Sequence, residues 1–134
     1  MDEKKLHELL KSLTIKEKIG QLIQLSGEFF DVKTATTGPQ KKLGISSETI
    51  DLCGSVLNVS GANKTREIQD NHLKKNRIPL MFMSDIVYGF KTIYPIPLGL
   101  GATWDPDLIK KYYSNTADEA RACGNHVALG PMVD

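Results

Sequence analysis

An α/β architecture with parallel strands is the fold class this sequence predicts, and three observations carry it. Strand-like apolar runs at 54–59, 78–84 and 126–130 alternate with stretches of helical periodicity, the order expected when helices cross back over a parallel sheet. The run Ile78-Pro-Leu-Met-Phe-Met83 is apolar without alternation, which suits a strand covered on both faces. It ends in Ser84-Asp85 and a Gly/Pro-rich loop, and the carboxyl ends of strands are where α/β sheets and barrels place their ligands.

Each element has a local reason. Leu6, Leu9, Leu10 and Leu13 form a stripe of helical period, so residues 2–13 are expected to be helical. Thr14-Ile-Lys-Glu17 reads as a capping box, in which hydroxyl and carboxylate serve each other's backbone amides. The helix it starts would carry Ile15, Ile19, Leu22 and Ile23 on one face. Residues 26–37 do not resolve into helix or strand, and Thr36-Thr-Gly-Pro39 closes them with turn chemistry. A short amphipathic helix is expected over 46–52.

Residues 54–59 follow as a strand, then the turn-prone Ser60-Gly61-Ala62-Asn63 and an amphipathic helix over 63–76 with Ile68 and Leu73 as anchors. Asp105-Pro106 places an N-cap before a proline at the first helical position. That helix should run to about Cys123, where Gly124 stops it. Trp104 is expected to pack beside the N-cap. No repeat or linker divides the chain, so one structural unit is expected.

Composition excludes several function classes. Hydrophobic residues at 40% and charged residues at 25% are globular values. A net charge of +1, with dispersed lysine pairs, gives no electrostatic case for nucleic acid or an anionic membrane. No run approaches the roughly 20 apolar residues of a membrane span. The charged amino terminus does not read as a secretory signal, so the expected location is cytoplasmic. Cys53 and Cys123 form no C-x-x-C pair, and His7, His72 and His126 lack metal-ligand spacing, so no cofactor or metal is expected. Gly99-Leu-Gly101 lacks the third glycine of a dinucleotide fingerprint and follows a proline loop instead of a strand. Asn58-Val-Ser60 and Asn63-Lys-Thr65 match the glycosylation pattern by chance, given the expected location.

Seven motifs occur in register: Gly54-Ser-Val-Leu-Asn-Val59, Thr65-Arg-Glu-Ile-Gln69, Ile78-Pro-Leu80, Asp85-Ile-Val-Tyr-Gly89, Pro95-Ile-Pro-Leu-Gly-Leu-Gly101, Trp104-Asp-Pro106 and Pro131-Met-Val-Asp134. In this order the chain resembles glycoside hydrolase family 3, which contains β-glucosidases and related exo-acting enzymes. Leu13-Thr-Ile-Lys-Glu-Lys-Ile-Gly-Gln-Leu22 resembles that family's amino-terminal helix. The resemblance implies a (β/α)8 barrel, and such a barrel takes roughly 250 residues. The 134 residues here are therefore expected to be the incomplete amino-terminal portion of that barrel domain, a partial barrel of its first three to four strand–helix units.

Asp85 is the leading candidate for function. A carboxylate accepts hydrogen bonds from two neighbouring sugar hydroxyls at once, although a loop-capping role would also account for its position. The resemblance implies that Asp85 binds hydroxyls of the non-reducing sugar without performing the chemistry. Tyr88 stands where the family commonly has histidine, and a tyrosine does not titrate near neutral pH. Lys91 is a candidate pocket-lining residue in the same loop, against a surface role, and Trp104, expected to pack beside the N-cap, has sugar stacking as its alternative. Asp134 is a second carboxylate after a strand; glycoside hydrolysis needs two such groups, but the resemblance puts the nucleophile and the acid/base in later segments.

The expected function is that of the amino-terminal part of a β-glucosidase-like hydrolase, inactive alone. Its partners would be a sugar or β-glucoside, and either a complementing chain carrying the rest of the barrel or further copies of itself. Two alternatives stand beside this: one chain of a split glycosidase, and a non-catalytic α/β module that binds carbohydrate or a protein partner.

Overall fold

The computed structural model describes residues 2–30 and 43–132. Four short strands form one sheet: β1 (Gln24–Ser26), β2 (Ser55–Leu57), β3 (Met81–Asp85) and β4 (Val127–Leu129). They lie side by side in chain order and every pair is parallel. Sequential order in a parallel sheet is the arrangement with which a (β/α)8 barrel begins. The expected α/β partial barrel, with parallel strands in chain order, is met.

Helices α1 (Glu3–Ser12) and α2 (Ile15–Gly20) precede β1, and a 3₁₀ turn (Gly27–Phe30) follows it. The chain reaches β2 through α3 (Ser47–Leu52), β3 through α4 (Ala62–Leu73), and β4 through α5 (Pro97–Gly101) and α6 (Pro106–Ala122). Local capping explains most boundaries. The Thr14 amide donates to Glu17 Oε2 at 2.7 Å while the Glu17 amide donates to Thr14 Oγ1 at 3.2 Å, the reciprocal box expected from Thr14-Ile-Lys-Glu17. Those bonds hold the Glu17 carboxyl below its ordinary value. Ser46 and Asp105 cap α3 and α6 in one direction only, each side chain accepting the amide three residues on. Gly124 ends α6 at φ +90°, a left-handed backbone that glycine takes without strain.

Register decides which side chains form the core. Leu25, Val56 and Phe82 are opposite one another on adjacent strands, and all three are buried. They pack with Cys53, Val59, Ile68 and Leu80 in the layer between the sheet and its helices. Complete burial of a side chain such as Phe82 contributes about 1.5–3 kcal/mol. Burial also pushes the Cys53 thiol up to about 11, so it is held as an unreactive neutral group. His72 is buried as well; its Nε2 donates to the Ile78 carbonyl at 3.0 Å, and desolvation lowers its pKa and keeps it neutral.

The alternate residues face the other way. Gln24, Met81, Asp85 and Leu129 are exposed, while Ser26, Ser55, Leu57, Met83 and Val127 are half-buried. Cover on both sides, expected from the apolar run at 78–83, is present on the helix side alone among the described residues.

Two expectations are corrected. The second helix stops at Gly20 and does not carry Leu22 and Ile23 on its face, because the chain turns there into β1, which no strand pattern announced. Leu22 is 87% exposed. Trp104 does not pack beside the N-cap; it is 92% exposed, on a left-handed backbone (φ +53°) between α5 and α6.

Candidate functional site

The carboxyl end of β3 is the best-organised polar position on the open face. Strand alternation turns Ser84 toward the helices and Asp85 to the opposite side. Ser84 is buried, and its hydroxyl donates to Asn125 Oδ1 at 2.7 Å, tying the end of β3 to the segment that enters β4. One residue on, the Ile86 amide donates to the Leu129 carbonyl at 3.2 Å. Asp85 therefore projects from a backbone held on both sides.

Its carboxylate has a specific partner. Asn58, directly after β2, donates from Nδ2 to Asp85 Oδ2 at 3.2 Å, and its Oδ1 accepts the Asp85 amide at 3.1 Å. The Asn58 amide itself donates to the Met83 carbonyl at 2.8 Å, so the ladder continues one residue past β2. Sequence reading counted Asn58 as an ordinary strand residue. Asparagine is depleted in strands and enriched in left-handed backbone, which is the signal that marks it, and here it sits at φ +58°.

The loop after Asp85 is pinned to α6. Gly89, at φ +112°, bridges Ile93, and a Cβ at this position would run into the Thr92 carbonyl oxygen. The Tyr94 amide donates to the Tyr88 carbonyl at 2.9 Å, and the Tyr112 hydroxyl donates to the Val87 carbonyl at 3.3 Å. The rings of Tyr94 and Tyr112 pack at 4.6 Å between centroids. Glu119 of α6 accepts from the Lys91 amide at 3.1 Å, the Thr92 amide at 3.0 Å and the Thr92 hydroxyl.

Those donors have a testable consequence. The Thr92 hydroxyl foremost, then the Thr92 and Lys91 amides, lower the Glu119 carboxyl below its ordinary 4.5. A carboxyl depressed by folding contributes stability above its unfolded value, and that contribution is lost as pH falls through the folded one. Amide exchange at Lys91 and Thr92 is therefore expected to be slow at neutral pH. It should accelerate in acid, relative to intrinsic rates, once the pH drops below about 4.5, and Glu119→Ala, which leaves no acceptor, should show the fast loop at all pH values. Equal protection in the variant and the parent at pH 7 would refute the clamp.

The four residues nominated from sequence are thus only partly gathered. Asp85 is at the strand end as expected. Tyr88 follows on the loop, with its side chain half exposed. Lys91 is exposed, and its backbone is drawn to Glu119 on α6, with no hydrogen bond or ion pair linking it to Asp85 among the described residues. Asp134 lies outside the described residues. Among those residues no cluster of His, Cys, Asp and Glu could hold a metal, and no helix is long and apolar enough to cross a membrane. A groove of about 320 Å³ between α4 and α6 is lined by Arg66, Arg121, His126 and Phe82; it lies in the helix layer, on the other face of the sheet from Asp85.

Residues 14–134 match the Glycosyl hydrolase family 3 N terminal domain. The chain belongs to glycosyl hydrolase family 3. Within it, the periplasmic β-glucosidase of Salmonella typhimurium is 33% identical over 131 residues, which are 95% of this chain and 16% of that protein. The crystal structure of a β-glucosidase from Listeria innocua in complex with glucose superimposes with a TM-score of 0.89 at 39% identity. A mutant of the Listeria enzyme in complex with laminaribiose gives 0.90 at 38%. Each alignment covers all of this chain and 19% of the Listeria one. The chain thus spans about a sixth to a fifth of the length of these relatives.

Proposed function

We propose that these residues form the first part of the barrel of a β-glucosidase-type hydrolase, with Asp85 as the acceptor for hydroxyls of the terminal sugar. The observation that carries this reading is the Asp85 carboxylate, held at the end of a central parallel strand by Asn58 and facing the side of the sheet that no helix covers among the described residues. Sugar complexes of the Listeria enzyme, to which the whole chain is 38–39% identical, support it. The reaction would be hydrolysis of a terminal β-linked sugar. In a retaining mechanism two carboxyl groups stand about 5–5.5 Å apart, one as nucleophile and one as acid/base. The family resemblance assigns both to later segments, so the 134 residues would contribute binding and not turnover. The remaining strands would follow on the same polypeptide or come from a complementing chain.

Segment exchange tests this. The chain replaces the matching segment of the Listeria β-glucosidase, and hydrolysis of an aryl β-glucoside is measured. Activity well above background is expected from the completed barrel, and none from the 134 residues alone. A folded but inactive hybrid would refute the reading, as would turnover by the isolated chain that survives purification.

A further inference from the structure

We infer that Asn58 is a positioning residue for Asp85, a role that rests on the sugar-site reading above. Three features of the pair carry the inference. Its hydrogen bonds are reciprocal: one carboxamide holds both the backbone amide and the carboxylate of the same residue, 27 positions away. Their chemistry also fixes which way the carboxamide points. The Asp85 N–H requires an acceptor and its carboxylate requires a donor, so a flipped amide would set donor against donor and oxygen against oxygen. Finally, the backbone of Asn58 is left-handed at φ +58° while its amide stays bonded to the Met83 carbonyl. A side chain at the end of β2 is thereby kept level with the end of β3.

The consequence concerns how Asp85 meets a ligand. An exposed aspartate samples several rotamers, and a sugar must select one of them. Asn58 selects it beforehand by occupying one lone-pair direction of Oδ2, leaving Oδ1 and the rest of Oδ2 to accept from neighbouring hydroxyls. The bond is charge-assisted, so it holds that rotamer more firmly than a bond between neutral groups would. A vicinal diol is the group such a preset carboxylate recognises.

A purely structural role is separable from this one by choice of substitution. Asn58→Gly removes the carboxamide but accepts φ +58° more readily than asparagine, whereas Asn58→Ala removes it and strains the backbone. Asn58→Asp keeps the acceptor and replaces the donor with a second carboxylate. If Asn58 serves the fold alone, affinity and stability should fall together, most in Asn58→Ala. If it positions Asp85, Asn58→Gly and Asn58→Ala should lose affinity alike although Asn58→Gly melts higher.

The test uses the 134-residue chain, with glucose as probe. Residue-resolved hydrogen exchange reads the Asp85 amide, with Phe82, whose amide is bonded to His126 Nδ1, and Ile86 as internal controls. Saturation-transfer NMR, which tolerates weak binding and large assemblies, reads glucose. In Asn58→Gly the Asp85 amide should exchange at least several-fold faster with both controls unchanged. Glucose should bind roughly tenfold more weakly in that variant, the size of one lost hydrogen bond, and more weakly still in Asn58→Asp. An unchanged Asp85 amide in Asn58→Gly would overturn the clamp, and unchanged glucose binding would overturn the positioning role. If the unsubstituted chain gives no glucose signal, the sugar-site reading and the positioning role fall together. The exchange arm then still decides whether Asn58 holds Asp85.

Discussion

Asp85→Ala in the completed barrel is expected to lower kcat/KM for an aryl β-glucoside by roughly a hundredfold to ten-thousandfold. The estimate follows from two hydroxyl-to-carboxylate bonds, each worth about 1.5–3 kcal/mol when the acceptor is charged. The loss should fall on both kcat and KM, because contacts to a terminal sugar hold the ground state and strengthen as the ring flattens toward the oxocarbenium-like transition state. Asp85→Asn keeps the shape and one acceptor but loses the charge, and should retain more activity than Asp85→Ala. Folding is not at stake, since Asp85 is exposed and the neighbouring ladder bonds are made by backbone groups. Michaelis–Menten kinetics on the two variants and the parent would decide the matter. A change of less than about fivefold in Asp85→Ala would be smaller than a single hydrogen bond to a charged group, and would remove Asp85 from the sugar site.

Self-association is the other large effect expected, and it concerns the 134 residues by themselves. Among the described residues β1 and β4 are the two edges of the sheet, and neither has a further strand beside it to pair with its outer amides and carbonyls. Between them the open face carries Met81 at 47% exposure and Leu129 at 38%, beside half-buried Leu57, Met83 and Val127. Unpaired strand edges next to contiguous apolar surface drive association, since pairing satisfies the backbone and burial removes the apolar area from water. Size-exclusion chromatography with light scattering should therefore report oligomers or aggregates, accompanied by a broad thermal transition. Leu129→Lys puts a charge on the β4 edge and should shift the distribution toward monomer. A monomeric parent chain with a sharp cooperative melt would show that these residues close on themselves, and the open-face account would be wrong.

Much of this protein was legible one segment at a time. The Thr14–Glu17 box, the Asp105-Pro106 start of α6, its stop at Gly124 and the strand ending at Asp85 all rest on hydrogen bonds or periodicities spanning a few residues. Sequence contains such information directly, and the motif order around Asp85 pointed to the family that the comparisons bear out. What required the tertiary structure was every relation between distant segments. β1 is three residues long and follows a helical pattern; it is a strand because the backbone of β2 pairs with it, not because of its own composition. Asn58 reaches Asp85 and Glu119 reaches Thr92 across 27 residues each, and neither partner carries a mark of the other. Trp104 looked like a packing residue because tryptophan usually is one, yet burial depends on what lies opposite, and among these residues nothing covers it. Local chemistry determined where the elements begin and end. Which side chains meet at the carboxyl end of the sheet was decided by the parallel register alone.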